Sequence, residues 1–353
     1  MKKIIGTFIV LFLMGCLTTT MGKAQENQKL AQTGFQFLSV VSDARGAAMG
    51  EAMTSLQTTG SSSLFFNPAG MAGMTNFVDV TASVNEWIGN IKHYQFSLAI
   101  NPSGGNYGAF GLSIQSVDYG DFYGTVVDQT SDLGFRDTEI FQLNAMAAGI
   151  GYAKRLTDQF SIGGQVRMVR QDLGTSVIPV YGQKIIIDST GNQYAVADTT
   201  SAIVSNKLTP LVFDFGTQFK TGIKSLVFGM SVRNFSKEVK YVQEGFQAPL
   251  VFNLGISMNV FDLLPNIPED NSLTMSVDAT HYVDHPEQIK VGMEYNFRNM
   301  LKLRGGYVSK SVYDESAFSY GLGLALAGFA IDYTYTPFGI FDKVQRMTAR
   351  FSY

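Results

Sequence analysis

The chain has 353 residues, with 26 Lys+Arg against 29 Asp+Glu and a formal net charge of −3, so it carries no basic excess for binding nucleic acid. Charged residues are only 16% of the sequence, Gly numbers 36 and aromatics reach 12%, whereas an ordinary soluble domain is roughly 25% charged. Past the first two dozen residues no apolar run approaches the roughly 20 residues of a membrane helix, which leaves a transmembrane β-barrel, whose signal is alternation.

At the amino terminus Lys2 and Lys3 precede an apolar stretch from Ile4 to Leu13, and Gly22 and Ala24 flank Lys23. This pattern predicts a secretory signal peptide over residues 1–24, cut after Ala24. A competing reading takes Leu13-Met14-Gly15-Cys16 as a lipobox with Cys16 lipidated. Cleavage after Ala24 removes the only cysteine, and with it any disulfide or thiolate chemistry.

Residues 25–75 are rich in Ala, Gly, Ser and Met and poor in charge. They predict a hatch lying inside the lumen and not a strand region. Asp43 to Ala52 reads as a short helical turn, and Asn67-Pro68 as a helix entry or tight turn. Asp43 and Arg45 are expected to pair with each other or with lumen charges.

Residues 76–353 alternate apolar and polar with a period of two, the mark of strands with unlike faces. Val78, Val80, Ala82 and Val84 oppose Asp79, Thr81, Ser83 and Asn85; Ile289, Val291, Met293 and Tyr295 oppose Lys290, Glu294 and Asn296. Strands are predicted near 76–86, 92–101, 105–118, 140–155, 158–172, 209–220, 223–235, 248–261, 271–283, 287–298, 300–310, 316–326, 328–336 and 344–353. The expected architecture is an all-β, 14-stranded antiparallel transmembrane barrel with both mature termini periplasmic. Connection lengths agree, since long loops fall at 119–139, 173–208 and 236–247 and most others are tight; 262–270 is long for a periplasmic turn. Arg167, Asp214, Arg233, Asp278, Lys290, Glu294, Arg304, Arg346 and Arg350 read as inward-facing and structural. Trp87, Tyr94, Tyr119, Tyr295, Tyr333 and Phe338, among others, read as interfacial girdles. The competing architecture is a soluble two-sheet protein, which shares the period.

The chemistry of sites is sparse. His93, His281 and His285 form no convincing catalytic or metal set, the two glycine pairs Gly149/Gly151 and Gly321/Gly323 lack a strand-to-helix context, and no Ser/His/Asp arrangement stands out. The expectation is a non-enzyme without cofactor or metal.

Two motifs carry a resemblance. Asp43-Ala44-Arg45-Gly46-Ala47-Ala48-Met49-Gly50-Glu51-Ala52, followed by Ser61 to Ala72 with Asn67-Pro68-Ala69-Gly70, resembles the amino-terminal signature of PorV/PorQ family outer-membrane proteins. Asp332-Tyr333-Thr334-Tyr335-Thr336-Pro337-Phe338-Gly339 is similar to that family's closing motif. The Asn-Pro-Ala element also resembles that of FadL-type long-chain fatty acid transporters. The resemblance implies an outer-membrane barrel associated with type IX secretion, acting as a binding or scaffold component for secreted or surface-attached proteins. In that reading the loop 173–208 offers Tyr181, Ile185, Ile186 and Ile187 to partners. The alternative is a FadL-like passive transporter of hydrophobic small molecules, with Phe65, Phe66, Met71 and Met74 near its pocket. The partners are then secretion or surface-attachment proteins, or a hydrophobic small molecule, together with the lipid bilayer and no nucleic acid.

Overall fold

The computed structural model describes residues 33–57, 60–127, 131–187, 193–241, 244–265, 267–268, 270–309, 317–339 and 343–353. The signal peptide expected over 1–24, Cys16 and residues 25–32 lie outside the described residues. The strands are β1 (Val78–Glu86), β2 (Lys92–Ile100), β3 (Ala109–Val127), β4 (Phe135–Arg155), β5 (Phe160–Ile187), β6 (Gln193–Leu208), β7 (Leu211–Lys220), β8 (Val227–Ser236), β9 (Val239–Lys240), β10 (Gly245–Phe246), β11 (Val251–Asn259), β12 (Ser272–Tyr282), β13 (Gln288–Phe297), β14 (Leu301–Val308), β15 (Phe318–Leu326), β16 (Phe329–Pro337) and β17 (Lys343–Ser352).

Among the described residues fourteen strands form a closed antiparallel ring. β1 pairs with β17 from Asp79↔Ser352 to Glu86↔Gln345, and β4 pairs with β5 from Asn144↔Asp172 to Arg155↔Ser161. Closure leaves the ring no free edge, so backbone N–H and C=O groups are satisfied without water. β6 lies outside the count because it continues into β7. Gln171↔Leu208 and Met168↔Leu211 share one register along β5, interrupted at Pro210, which has no N–H to donate.

Polarity is inverted relative to a soluble protein. Ile150, Phe215, Leu254, Leu324 and Ile331 are exposed on the outside, whereas Asp79, Gln95, Arg167, Asp214, Lys290 and Arg304 are buried inside. The alternating strands of the sequence are recovered as ring strands, and the inward charges named there all line the interior. The difference lies at two long connections. The described residues within 119–139 and 173–208 form ladders: β3 and β4 stay paired to Val127↔Phe135, and β5 and β6 to Ile187↔Gln193. Both project from the end of the ring opposite Val78 and Tyr353, here called the hairpin end.

Residues 33–74 are enclosed by the ring. Helix α1 (Ala44–Ala48) is capped by Asp43, whose Oδ1 accepts from Gly46 N at 2.6 Å. A 3₁₀ turn at Pro68–Gly73 is capped by Asn67, with Pro68 at the first helical position. Asn67 Oδ1 accepts from Ala69 N at 3.1 Å, while its Nδ2 donates to Thr54 O at 2.7 Å and to Thr217 O on β7 at 3.0 Å. The Asn-Pro-Ala triplet thus joins a cap to a wall contact. Further bonds reach β3 through Gln115 to Phe37 O, β12 through Ser276 to Ala52 O, and β17 through Arg346 to Val41 O.

Glycines on the inner wall admit this backbone. A Cβ on Gly216 would stand 1.8 Å from Asn67 Oδ1, one on Gly163 2.5 Å from Ala69 N, and one on Gly292 2.5 Å from Met49 O. Gly50 combines both needs, with φ at +57° and the Tyr307 and Val291 backbones within 3.0 Å of its missing Cβ. Gly216→Val is therefore expected to displace the enclosed segment and cost about 1–3 kcal/mol through overpacking. Lower-temperature unfolding in heat-modifiability gels would register it, with Gly305→Ala, which meets nothing within 4 Å, as the silent control.

Candidate functional site

The two sequence motifs meet inside the barrel. Arg45 from α1 makes a two-pronged bond to Glu294 of β13, Nε to Oε2 at 2.8 Å and Nη2 to Oε1 at 2.8 Å. Arg304 of β14 donates to Glu294 Oε2 at 2.6 Å and to Asp332 Oδ1 of β16 at 2.6 Å. All four side chains are buried, and the chain of two cations and two anions is neutral. Asp43 serves as the helix cap. Thr334 Oγ1 donates to Ala44 O, and Thr348 Oγ1 accepts from Ala44 N at 2.8 Å. Met49 is fully buried in an apolar cluster with Val41, Met53 and Phe66, and Gly70 N donates to Asn67 O at 2.9 Å. Of the motif residues, Arg45 and Asn67 bond to the wall and Met49, Gly50, Pro68 and Ala69 approach it closely, while the Asp43 carboxylate and the Gly70 N–H bond within the enclosed segment itself.

Above that segment, at the hairpin end, lies a cavity of about 250 Å³. Its apolar wall includes Phe37, Val40, Trp87, Ile91, Tyr119 and Val308, and its polar wall includes Gln36, Glu51, His93, Tyr282 and Arg346. Each element delivers its residue by position: the turn after β1 brings Trp87, the start of β2 His93, the start of β17 Arg346. Trp87 packs edge-on against Phe338 at 5.0 Å and against His93 at 6.2 Å, with the Arg346 guanidinium over its ring at 5.6 Å. Lys290 Nζ donates to Glu51 Oε2 at 2.6 Å and to the Tyr282 hydroxyl at 2.9 Å. Ser39, His285 and Gln288 complete the polar part of the lining, yet most of the cavity's accessible surface is apolar, and a volume just under the roughly 300–1,000 Å³ of ordinary small-molecule sites suits a small occupant with an apolar body.

Three aromatics expected in the membrane girdles belong here instead. Trp87 and Tyr119 line the cavity, and Phe338 is completely buried behind Trp87. Strand-end position alone does not distinguish an aromatic facing lipid from one facing the mouth. Phe65, Phe66 and Leu64 border only a small inner space below Val40 and Val41, while Met71 and Met74 pack with Leu64 in the core. Tyr181, Ile185, Ile186 and Ile187 fall within β5, opposite Thr199, Ala195, Tyr194 and Gln193 of β6, and not in a loop. His281 is exposed and sits 3.1 Å from Glu287, and His285 lies 3.7 Å from Asp284.

No protein family is matched by sequence, and no curated protein is either. Solved structures do match. The CymD monoaromatic hydrocarbon channel superposes with a TM-score of 0.55 at 11% identity, over 88% of this chain and 97% of that one. The Pseudomonas putida toluene transporter TodX gives 0.54 at 13% identity over 92% and 98%, and a Pseudomonas aeruginosa FadL homologue gives 0.54 at 13% over 89% and 98%. What the chain shares with these proteins is the fold, a closed fourteen-stranded antiparallel barrel.

The buried ion chain makes a specific stability prediction. Arg45→Leu leaves two carboxylates around one guanidinium and is expected to cost about 3 kcal/mol. Arg45→Leu with Glu294→Leu leaves the balanced Arg304–Asp332 pair, so the double variant should unfold at a higher temperature than the single one in a thermal melt followed by circular dichroism.

Proposed function

We propose that this barrel is a passive channel admitting hydrophobic small molecules across the outer membrane. The carrying observation is the aromatic-walled cavity at the hairpin end, floored by an enclosed segment that is bonded to the wall nearly all the way round. In this reading residues 25–75 are the hatch, the hairpin end faces the medium as long connections do in bacterial barrels, and both termini are periplasmic. The apolar mouth concentrates the molecule from water, and the buried ion chain keeps the hatch from being expelled as a unit. The likeness to channels described as carrying toluene and monoaromatic hydrocarbons supports the reading at the level of the fold.

Trp87 is the only tryptophan in the chain, so its emission reports on the cavity alone. Toluene added to the purified protein should change Trp87 fluorescence saturably, and Val308→Phe, which fills the cavity, should abolish the change. Large steady ion conductance in planar bilayers would contradict the hatch, and a linear, non-saturating response would contradict the site.

A second reading, a PorV/PorQ-type scaffold for type IX secreted or surface-attached proteins, draws on the two terminal motifs and on β6. Among the described residues β6 is hydrogen-bonded on one side only, so its other edge is open to an added strand. Deleting 176–205 should then abolish recovery of partner proteins from native membranes while leaving the ring folded; unchanged recovery would sink this version.

A further inference from the structure

Within the hydrophobic-channel reading, on which this rests, the cavity's polar groups discriminate between occupants. Most of them are already committed. Glu51 and Tyr282 are held by Lys290, and Arg346 donates to Val41 O at 2.8 Å and to Thr336 Oγ1 at 2.9 Å. His93 is one exception. It is 3% exposed, lines the cavity beside Trp87, and its buried Nδ1 has no hydrogen-bond partner among the described residues. Gln36 repeats the pattern: its Nε2 donates to Thr33 Oγ1 at 2.6 Å and to Asp284 Oδ2 at 3.0 Å, while its buried Oε1 has no partner among the described residues.

A buried polar atom without a partner is destabilising, and whatever pairs with it gains that difference. An imidazole in either neutral tautomer presents one donor and one acceptor, and an amide oxygen presents only an acceptor. A hydroxyl can pair with His93 as donor or acceptor, or with Gln36 as donor. A plain hydrocarbon satisfies neither. A carboxylate finds the cavity's cation already bonded, and it would stand near Glu51. We infer that the preferred ligand is a small aromatic molecule bearing a hydroxyl, of the phenol class, anchored by His93 with its ring against Trp87.

Two probes of nearly equal shape test this, p-cresol and p-xylene, which differ by a hydroxyl in place of a methyl. Their affinities are read from Trp87 emission of the purified barrel in detergent, with each probe's partition into the micelle measured separately. The wild type should bind p-cresol about tenfold more tightly than p-xylene, the effect of one hydrogen bond to a buried group. His93→Phe should bring that ratio close to one, and His93→Gln, which restores a donor and an acceptor, should recover part of the preference. Equal affinities in the wild type overturn the hydroxyl preference and leave the channel reading standing, whatever the variants do. A tenfold preference that survives in folded His93→Phe overturns His93 as the anchor. No saturable response to either probe overturns the channel reading itself.

Discussion

Everything in this molecule follows from the absence of water around its outer wall. In hydrocarbon an unpaired backbone N–H or C=O has nothing to bond, so a sheet can cross only by closing on itself. The β1–β17 and β4–β5 ladders perform that closure. Closure then dictates the inversion of polarity, since side chains alternate and only the outer set meets lipid. Charges must point inward, and once inward they must be paired, because the interior is nearly as poor a solvent for them as the lipid.

The interior solves that problem with the enclosed segment. Arg45 enters between Glu294 and the rest of the wall, and Arg304 carries the alternation on to Asp332, so that an amino-terminal helix and a carboxyl-terminal strand share one neutral chain of charge. Asn67 does the same with neutral groups, capping its own turn while donating to carbonyls of the segment and of β7. Inner-wall glycines make the approach close enough for such bonds. The segment is consequently fastened by short polar contacts, and in the proposed channel a molecule crossing the barrel would have to pass beside it or through a local rearrangement.

The cavity is the remainder of this packing. It lies where the strands pass the segment's upper surface, and its walls come from turns and strand starts that the ring brings together from residues 36 to 346. Because much of that wall is apolar and Glu51 and Lys290 near it are paired, the site differs in kind from the charged interior beneath it. In the proposed channel its selectivity would rest on polar atoms left unpaired there, such as His93 Nδ1 and Gln36 Oε1.

By itself the sequence determined the ring: each of fourteen strands has one face toward lipid and one toward a polar interior, so a period of two had to be written into the residues. It also marked the inward charges and the Asp43 and Asn67 turns, whose capping geometry is local. Three things were decided only by the tertiary structure. The identity of Arg45's partner depends on which strand closure places opposite it, 249 residues away. The ladders within 119–139 and 173–208 are backbone pairings, whose partners are set by the ring strands they extend. The role of Trp87, Tyr119 and Phe338 turned on whether a strand-end aromatic points out to the bilayer or in to the mouth, and that is set by packing against residues far away in the chain.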